Sequence, residues 1–442
     1  MNSGNIIVSY AHVQAAFDEN PDQFQQSVSQ SADKAANGDT VERARLLADW
    51  NKALAALQGE KSSTGVMSTP RNAMASRLQT LLAAQTAQAV QAGDLGKLSV
   101  IRPAQSITIA PGVQSSVPTV QEVKFDNEDV VGWLGMAWKF IFKPDVHPWI
   151  APPTIPQTIA DDARVALFSD WGTGLYGAPE ICKSIAKLDR CDVVLHLGDT
   201  YYSGANDEIT NRLVGDWPTR GGSTINRSLN GNHEMYSGGQ GYFAALASFF
   251  QQPASCFALQ NSNWILVCLD TAYKDFDLDS AQVAWLKSIV DAAGGRKLLL
   301  FSHHQPFSQL DAQGPTIQTA LADILSKQRV HAWFWGHEHR LVLYEPHSTW
   351  GFKGRCIGNG GFPGFRDNLT DPPSDVYVWV NLTPQSSGVP AAKVLDGPNF
   401  WVAEDPMRYS PHGFVTLEFD GDKVWETYYT PDHIALTPRT QL

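Results

Sequence analysis

The chain lacks the features that would take it into a membrane, onto nucleic acid or into an oxidising compartment. No window reaches the roughly 18 consecutive apolar residues of a membrane-spanning helix, and the aromatic stretch from Trp133 to Phe142 is too short to cross a bilayer. Basic residues are in deficit, 33 Lys and Arg against 45 Asp and Glu, for a net charge of −12. A general binder of nucleic acid or anionic membrane carries a basic stripe, so neither partner is expected. A small anionic substrate is compatible with this charge, because bound metal ions invert the local field. Cysteine is scarce: Cys182, Cys191, Cys256, Cys268 and Cys356 are odd in number and form no C-x-x-C pair. That pattern points to a reducing compartment and no disulfide framework. The opening residues, MNSGNIIVSYAHVQAAFDEN, show neither the basic start nor the long apolar core of a secretion signal, so a cytoplasmic location is expected. Nothing in the composition speaks to oligomeric state.

What is present fits a soluble globular chain, with 43% hydrophobic and 18% charged residues. The length of 442 residues suggests two or three domains. Residues 1–100 read as a polar helical region. Leu47, Trp50, Leu54 and Leu57 fall at helical spacing before Gly59, residues 59–69 read as a flexible connector, and Pro70 opens a second helix carrying Met74, Leu78, Leu81 and Leu82. Two such helices can close as a hairpin; partner binding and covering of a site are the other roles open to them. Residues 101–160 are Pro-rich and read as a wrapping linker, with Trp133 to Phe142 a helix docked on the main domain.

From residue 161 to the end, short apolar runs alternate with helical segments. The runs Val165–Ser169, Val193–Leu197, Trp264–Leu269, Lys297–Ser302 and Val330–Trp335 read as buried strands, and 178–189 and 280–292 as helices, the latter capped by Asp279 or Ser280. Such alternation predicts an α/β domain. A β-hairpin is expected at Phe414–Phe419 and Lys423–Thr430, on the edge of that domain; residues 366–412 carry no readable pattern.

Five short motifs carry the chemistry: Asp170-Trp171-Gly172, Gly198-Asp199-Thr200-Tyr201-Tyr202, Gly231-Asn232-His233-Glu234, His303-His304 and Gly336-His337-Glu338-His339. Most follow an apolar run, and in an α/β sheet sites form at the carboxyl ends of strands. Four strand ends would then converge on one spot, joined by the Asn232 loop. The motif set, in this order, resembles the calcineurin-like metallophosphoesterase superfamily and, within it, the purple acid phosphatases. The resemblance spans about residues 163–365, weakly to 430, and leaves out the first third of the chain.

The resemblance implies a layered αββα sandwich and two metal ions. Asp199 would bridge both, Asp170, Tyr202 and His339 would complete the first site, and Asn232, His303 and His337 the second. Carboxylates, a phenolate and one imidazole suit a hard ion such as Fe(III); carboxylate, amide oxygen and two imidazoles suit Zn, Mn or Fe(II). Most superfamily members have a histidine two residues after the first aspartate, where this chain has Gly172. Either that site has lost a ligand or another residue replaces it. Tyr202, three positions after Asp199, stands where purple acid phosphatases supply a tyrosinate; a one-residue slip would aim the ring of Tyr201 away from the metals. A phenol with a pKa near about 10 ionises at neutral pH only beside a strongly acidic metal.

The resemblance makes His233 a group that holds phosphate or protonates the leaving group, and His304 either a second phosphate contact or a prop. His196 and His331 read as core histidines; His12, His147, His347, His412 and His433 as surface or linker residues. Gly172-Thr173-Gly174 lets backbone approach the metals and can start the next helix, and Gly358-Asn359-Gly360-Gly361 forms a wall near the site or a simple tight turn. The expected activity is hydrolysis of a small phosphate monoester by a water that the two metals acidify, with Asp199 and His233 as the catalytic pair. A phosphodiesterase for cyclic nucleotides or phospholipid headgroups is the nearest alternative. A protein acting mainly as an interaction scaffold through its N-terminal helices is the alternative of another class.

Overall fold

The computed structural model describes residues 6–8, 10–19, 21–59, 67, 71–92, 98–103, 108–109, 113–114, 121–125, 138, 140–218, 222–386, 388–402 and 406–442. Two sheets dominate it. The larger has nine strands in the order Val378–Leu382, Ala392–Asp396, Leu341–Pro346, Lys353–Ile357, Val330–Trp335, Lys297–Ser302, Trp264–Leu269, Phe257–Gln260 and Gln157–Thr158. The smaller has six, in the order Thr440–Gln441, Lys423–Tyr429, Phe414–Asp420, Arg164–Phe168, Val193–His196 and Ile225–Ser228. Each contains a parallel centre, 264–269 beside 297–302 beside 330–335 beside 353–357 in one, 164–168 beside 193–196 beside 225–228 in the other.

A period of two sets the layers. Leu266, Cys268, Leu299, Phe301, Ala332 and Phe334 of the large sheet meet Val165, Leu167, Val193 and Leu195 of the small one in a single core. The alternate residues face outward. Ile265, Val267, Leu298, Leu300, Trp333 and Trp335 pack with Trp285, Leu286 and Ile289 of the helix Ser280–Ala292. Ala166, Phe168 and Val194 pack with Ile181 and Ile185 of the helix Ala178–Ala186. The result is the αββα sandwich, its central strands buried on both faces, which is why they are unbroken apolar runs. Arg355 and Glu426 join the two sheets by a buried ion pair, Nη2 to Oε1 at 2.8 Å.

Element positions follow local chemistry closely. Asp279 caps the helix Ser280–Ala292, its Oδ1 accepting from the Ala281 N–H at 2.8 Å. The C-terminal hairpin is not an edge feature: Phe414–Asp420 lies between Lys423–Tyr429 and Arg164–Phe168, and Thr440–Gln441 is outermost. The segment Ile225–Ser228 is a strand although its sequence, INRS, has no apolar alternation.

The N-terminal region folds as helices Tyr10–Asp18, Pro21–Ala36, Thr40–Gly59 and Ala73–Ala92. Pro70 lies outside the described residues; Asn72 starts the last helix, its Oδ1 accepting from Met74 and Ala75 N–H groups, each at 3.1 Å. Within the expected connector, Met67 is buried and its N–H donates to the Tyr176 hydroxyl at 2.7 Å. The strand Leu98–Pro103 pairs with Gln121–Phe125, which runs parallel to Ile6–Ile7, so part of the expected linker belongs with the N-terminal segment. Of Trp133 to Phe142 only 138 and 140–142 are among the described residues; Trp138 stacks on Trp50 at 6.3 Å and shares one apolar cluster with the N-terminal helices and with Tyr201 and Phe362 of the sandwich. Leu46, Trp50, Leu78 and Leu82 share one apolar cluster with Tyr201, Tyr202 and Phe362 of the sandwich. All five cysteines are free and buried, and among the described residues no helix is long and apolar enough to cross a membrane.

Candidate metal centre

Five parallel strands end at one place. Asp170 follows Arg164–Phe168, Asp199 follows Val193–His196, Asn232 follows Ile225–Ser228, His303 follows Lys297–Ser302, and His337 and His339 follow Val330–Trp335. Three of these residues turn the chain through the left-handed region: Asp170 at φ +54°, Asp199 at φ +79° and His337 at φ +67°. Such backbone costs of order 1–3 kcal/mol each and needs support from its surroundings. The loops support one another. The Asp170 N–H donates to the Gly198 carbonyl at 2.9 Å, and the Gly336 N–H to that of His303 at 3.0 Å. Glu234 Oε2 accepts from the N–H groups of Asp199 at 3.1 Å and Gly231 at 2.7 Å. A Cβ on Gly336 would stand 1.9 Å from Ser169 Oγ and 2.6 Å from Asp170 Oδ2, so only glycine lets these turns meet.

One cluster gathers Asp170, Asp199, Tyr201 and His339. The Tyr201 hydroxyl is 3.1 Å from Asp170 Oδ1, 3.1 Å from Asp199 Oδ2 and 3.0 Å from His339 Nε2. His339 Nε2 is 3.4 Å from Asp170 Oδ1. Asp170 Oδ2 accepts from Ser169 Oγ at 2.7 Å and from the His337 N–H at 2.9 Å, which fixes its rotamer. Burial, then the charges of Asp199 and Asp170, push the Tyr201 phenol well above its ordinary range. It would ionise there only beside added positive charge.

The second cluster gathers Asn232, His303 and His337, with Asp199 between the two. Asn232 Oδ1 is 3.0 Å from His303 Nε2 and 2.9 Å from His337 Nδ1. The Asn232 amide nitrogen donates to the Tyr236 hydroxyl at 2.6 Å, so Oδ1 is its inward atom. His303 Nδ1 sits 3.0 Å from the Leu197 carbonyl, so it carries a proton and leaves a lone pair on Nε2 of the neutral ring. His337 Nε2 is buried without a partner. Asp199 Oδ2 is 3.4 Å from His303 Nε2. Burial lowers the proton affinity of His303, yet the Asp199 carboxylate outweighs it and holds the imidazole up to about 9. A place that draws a proton onto a fully buried ring favours positive charge. Lone pairs converging on a shared carboxylate fit cations: Asp170, Asp199 and His339 offer atoms within 4.8 Å of one another, as do His303, His304 and His337.

The tyrosines depart from expectation. The Tyr202 hydroxyl lies away from this centre, accepting from the Val8 N–H at 3.1 Å, and the Arg212 guanidinium covers its ring. Tyr201 stands in its place. The path of the turn decides this: the Tyr201 N–H bonds the Gly172 carbonyl at 2.9 Å, and its ring packs on Phe362 at 4.5 Å and His233 at 4.5 Å. The structure thus brings together Asp170, Asp199, Asn232, His303, His337 and His339, and it leaves Tyr202 out.

His233 lies beside both clusters. Its Nδ1 faces the Tyr202 carbonyl, and its Nε2 is 3.8 Å from Asp199 Oδ2; burial lowers its proton affinity against the pull of that carboxylate. His304 Nδ1 is 2.9 Å from the Thr271 carbonyl, and its Nε2 is buried without a partner. His196 is a core histidine on Ser228 Oγ, and His331, half-buried, reaches the Leu442 carbonyl. His347 and His412 are buried, not superficial: His347 stacks on Trp350 at 4.1 Å, and His412 Nε2 is 3.0 Å from the Phe362 carbonyl. The side chain of His12 lies outside the described residues. Gly172 brings two turns into contact rather than starting a helix; its N–H donates to the Asp199 carbonyl at 3.2 Å, and the helix begins only at Ala178. The stretch 358–361 does wall the site: the Gly360 N–H bonds the Ser169 carbonyl, and the next residue, Phe362, covers His339 at 4.3 Å.

Sequence reasoning missed several neighbours. Glu234 was visible inside its motif as a carboxylate beside a ligand. Tyr236 supports Asn232 and donates in turn to the Arg71 carbonyl at 3.0 Å. Arg71 comes from the N-terminal region and pairs with Asp311, Nη1 to Oδ1 at 3.0 Å. Burial lowers both His304 and His337, and the Arg71 charge lowers them further. No motif marks Arg71.

A family model described as calcineurin-like phosphoesterase matches residues 163–341. No curated protein matches the chain. Among solved structures, the chain is similar to a purple acid phosphatase from yellow lupin (Lupinus luteus) seeds, at 18% identity and a TM-score of 0.47, over 65% of this chain. It spans 54% of the length of that phosphatase. It is also similar to a conserved protein of Streptococcus pneumoniae described as a predicted phosphoesterase, at 10% identity and a TM-score of 0.28, over 64% of this chain and 98% of the other. Vacuolar Protein Sorting 29 from Cryptosporidium parvum matches at 14% identity and a TM-score of 0.30, over the same shares.

Proposed function

The chain carries a calcineurin-like phosphoesterase domain at residues 163–341, and we propose that it hydrolyses phosphate monoesters at a dinuclear metal centre, as a purple acid phosphatase does. One observation supports this reading above others. A single carboxylate oxygen, Asp199 Oδ2, stands 3.1 Å from the Tyr201 hydroxyl of one cluster and 3.4 Å from His303 Nε2 of the other. Asp170, Asp199, Tyr201 and His339 would hold a hard ion such as Fe(III); Asp199, Asn232, His303 and His337 would hold Zn, Mn or Fe(II). When bound, the two ions supply positive charge to phosphoryl oxygens and acidify water.

The chain's own groups do the rest. His233 Nε2 lies 3.8 Å from Asp199 Oδ2, and burial lowers its proton affinity although the Asp199 charge pulls the other way. A proton taken up at Nε2 would be placed to pass to the departing alkoxide. The Tyr202 carbonyl holds the ring orientation through Nδ1. His304 Nε2 and the Arg71 guanidinium add a polar atom and a positive charge on the second cluster's side, where a phosphate dianion is drawn in. Phe362 and Tyr201 close one wall against water.

The metal-loaded chain should turn over p-nitrophenyl phosphate at least about tenfold more efficiently than bis(p-nitrophenyl) phosphate. The reverse preference would make it a phosphodiesterase. Absence of turnover on both, with metals bound, would overturn the hydrolase reading.

A further inference from the structure

Arg77 is the unusual cation of this molecule. Its side chain is buried on the helix Ala73–Ala92. Nη1 donates to the Ile141 carbonyl at 2.5 Å and the guanidinium lies 4.4 Å from the Phe140 ring centroid, but Nε and Nη2 have no partner. Among the described residues no carboxylate pairs with it. A guanidinium withdrawn from water and left unpaired is costly, and an anion that reached it would recover that cost. Burial alone pushes its proton affinity down, to about 9.

The place of Arg77 gives this a direction. It lines a cavity of about 420 Å³ that the ligand Asn232 and its support Tyr236 also line. Met74, Phe142 and Tyr273 add apolar and aromatic surface to the same lining. Asn72, at the helix start, lines the same cavity, and Arg77 stands about one helical turn farther along, roughly 5 Å to 8 Å. Lys52, 3.9 Å from Asp49, and Asp275 line the same space, and burial raises the Asp275 carboxyl.

We infer that this cavity receives the leaving group of the substrate and that Arg77 binds a second anionic group on it. The substrate class is a phosphate monoester whose apolar or aromatic leaving group carries a carboxylate or further phosphate. The inference rests on the hydrolase reading above. It gives the N-terminal helices a role in choosing the substrate, because they contribute to the lining of a cavity that the ligand Asn232 also lines.

The test compares para-carboxyphenyl phosphate with para-carbamoylphenyl phosphate, two esters of nearly equal size that differ in charge. The carboxamide is the better leaving group electronically, so preference for the carboxylate reports binding. The metal-loaded wild-type chain should favour the carboxylate ester by about tenfold or more in kcat/KM, the worth of a charge-assisted hydrogen bond. Arg77→Met should bring that ratio to near one, and Arg77→Lys should hold it between the two. A wild-type ratio near one, or an unchanged ratio in Arg77→Met, overturns the inference and leaves the hydrolase reading standing. Should Arg77→Met fail to fold, Arg77→Lys decides: a ratio equal to the wild type's overturns the inference, and a lowered one supports it. No turnover of either ester by the wild type sinks the hydrolase reading and this inference with it.

Discussion

Replacing Tyr201 or Tyr202 by phenylalanine separates the geometry of the centre from the spacing of its motif. The Tyr201 hydroxyl is within 3.1 Å of Asp170, Asp199 and His339, so Tyr201→Phe removes a donor atom from the first cluster. Loss of an outer-shell partner already lowers metal affinity by about 10- to 100-fold, and loss of a ligand should cost at least the upper figure. The Tyr202 hydroxyl accepts from a remote backbone N–H, that of Val8, away from both clusters. Tyr202→Phe leaves that buried donor unpaired, a cost of about 1–3 kcal/mol in stability with no direct effect on metal binding. The assay is metal content of each purified variant together with its visible spectrum. If the wild type shows a tyrosinate–Fe(III) charge-transfer band, Tyr201→Phe should abolish it and release the first metal. Tyr202→Phe should keep both and melt a few degrees lower. A bleached Tyr202→Phe beside a coloured Tyr201→Phe would refute the placement of the two rings and restore the reading from motif spacing.

Two further outcomes follow from side chains around the centre and in the larger sheet. His233→Ala should lower kcat by about 100- to 10,000-fold while metal content stays at the wild-type level; an unchanged kcat would remove His233 from proton transfer. Asp396 pairs with Arg366 in a buried contact, Oδ1 to Nε at 2.7 Å. Burial raises its carboxyl, but Arg366 and Thr370 outweigh this and hold it below the ordinary carboxylate range. A depressed folded value means that the pair contributes its full stability above the unfolded pKa of about 3.9 and loses it as pH falls through the folded value. Asp396→Asn should therefore be about 3–5 kcal/mol less stable than wild type at neutral pH, with the gap closing in acid; a constant gap in denaturant titrations would contradict this.

The sandwich was legible because its central strands are buried on both faces. Trp264–Leu269, Lys297–Ser302 and Val330–Trp335 are short enough and apolar enough to read as such strands, and the residues that follow them carry lone pairs. Where burial comes from the partner rather than the segment, the signal fails: Ile225–Ser228 is held as a strand by its neighbour Val193–His196, with polar residues of its own. His347 and His412 look like loop residues in sequence, yet Trp350 and the Phe362 carbonyl enclose them. Two adjacent tyrosines after one aspartate cannot be told apart by spacing, because the turn's route sets which ring faces inward. Arg71 and Arg77 were illegible for another reason. They sit in an N-terminal region without motifs, and the link from Arg71 to the site spans more than a third of the chain, the Tyr236 hydroxyl bonding the Arg71 carbonyl across 165 positions.

The count of metal ions bound per chain, in the wild type and in Asp199→Ala, bears most directly on a centre in which one carboxylate serves two cations. Two ions in the wild type and neither in Asp199→Ala is the expected result. A single ion in the wild type, or an Asp199→Ala chain that keeps both, would contradict the bridging role of Asp199 and the dinuclear centre built on it.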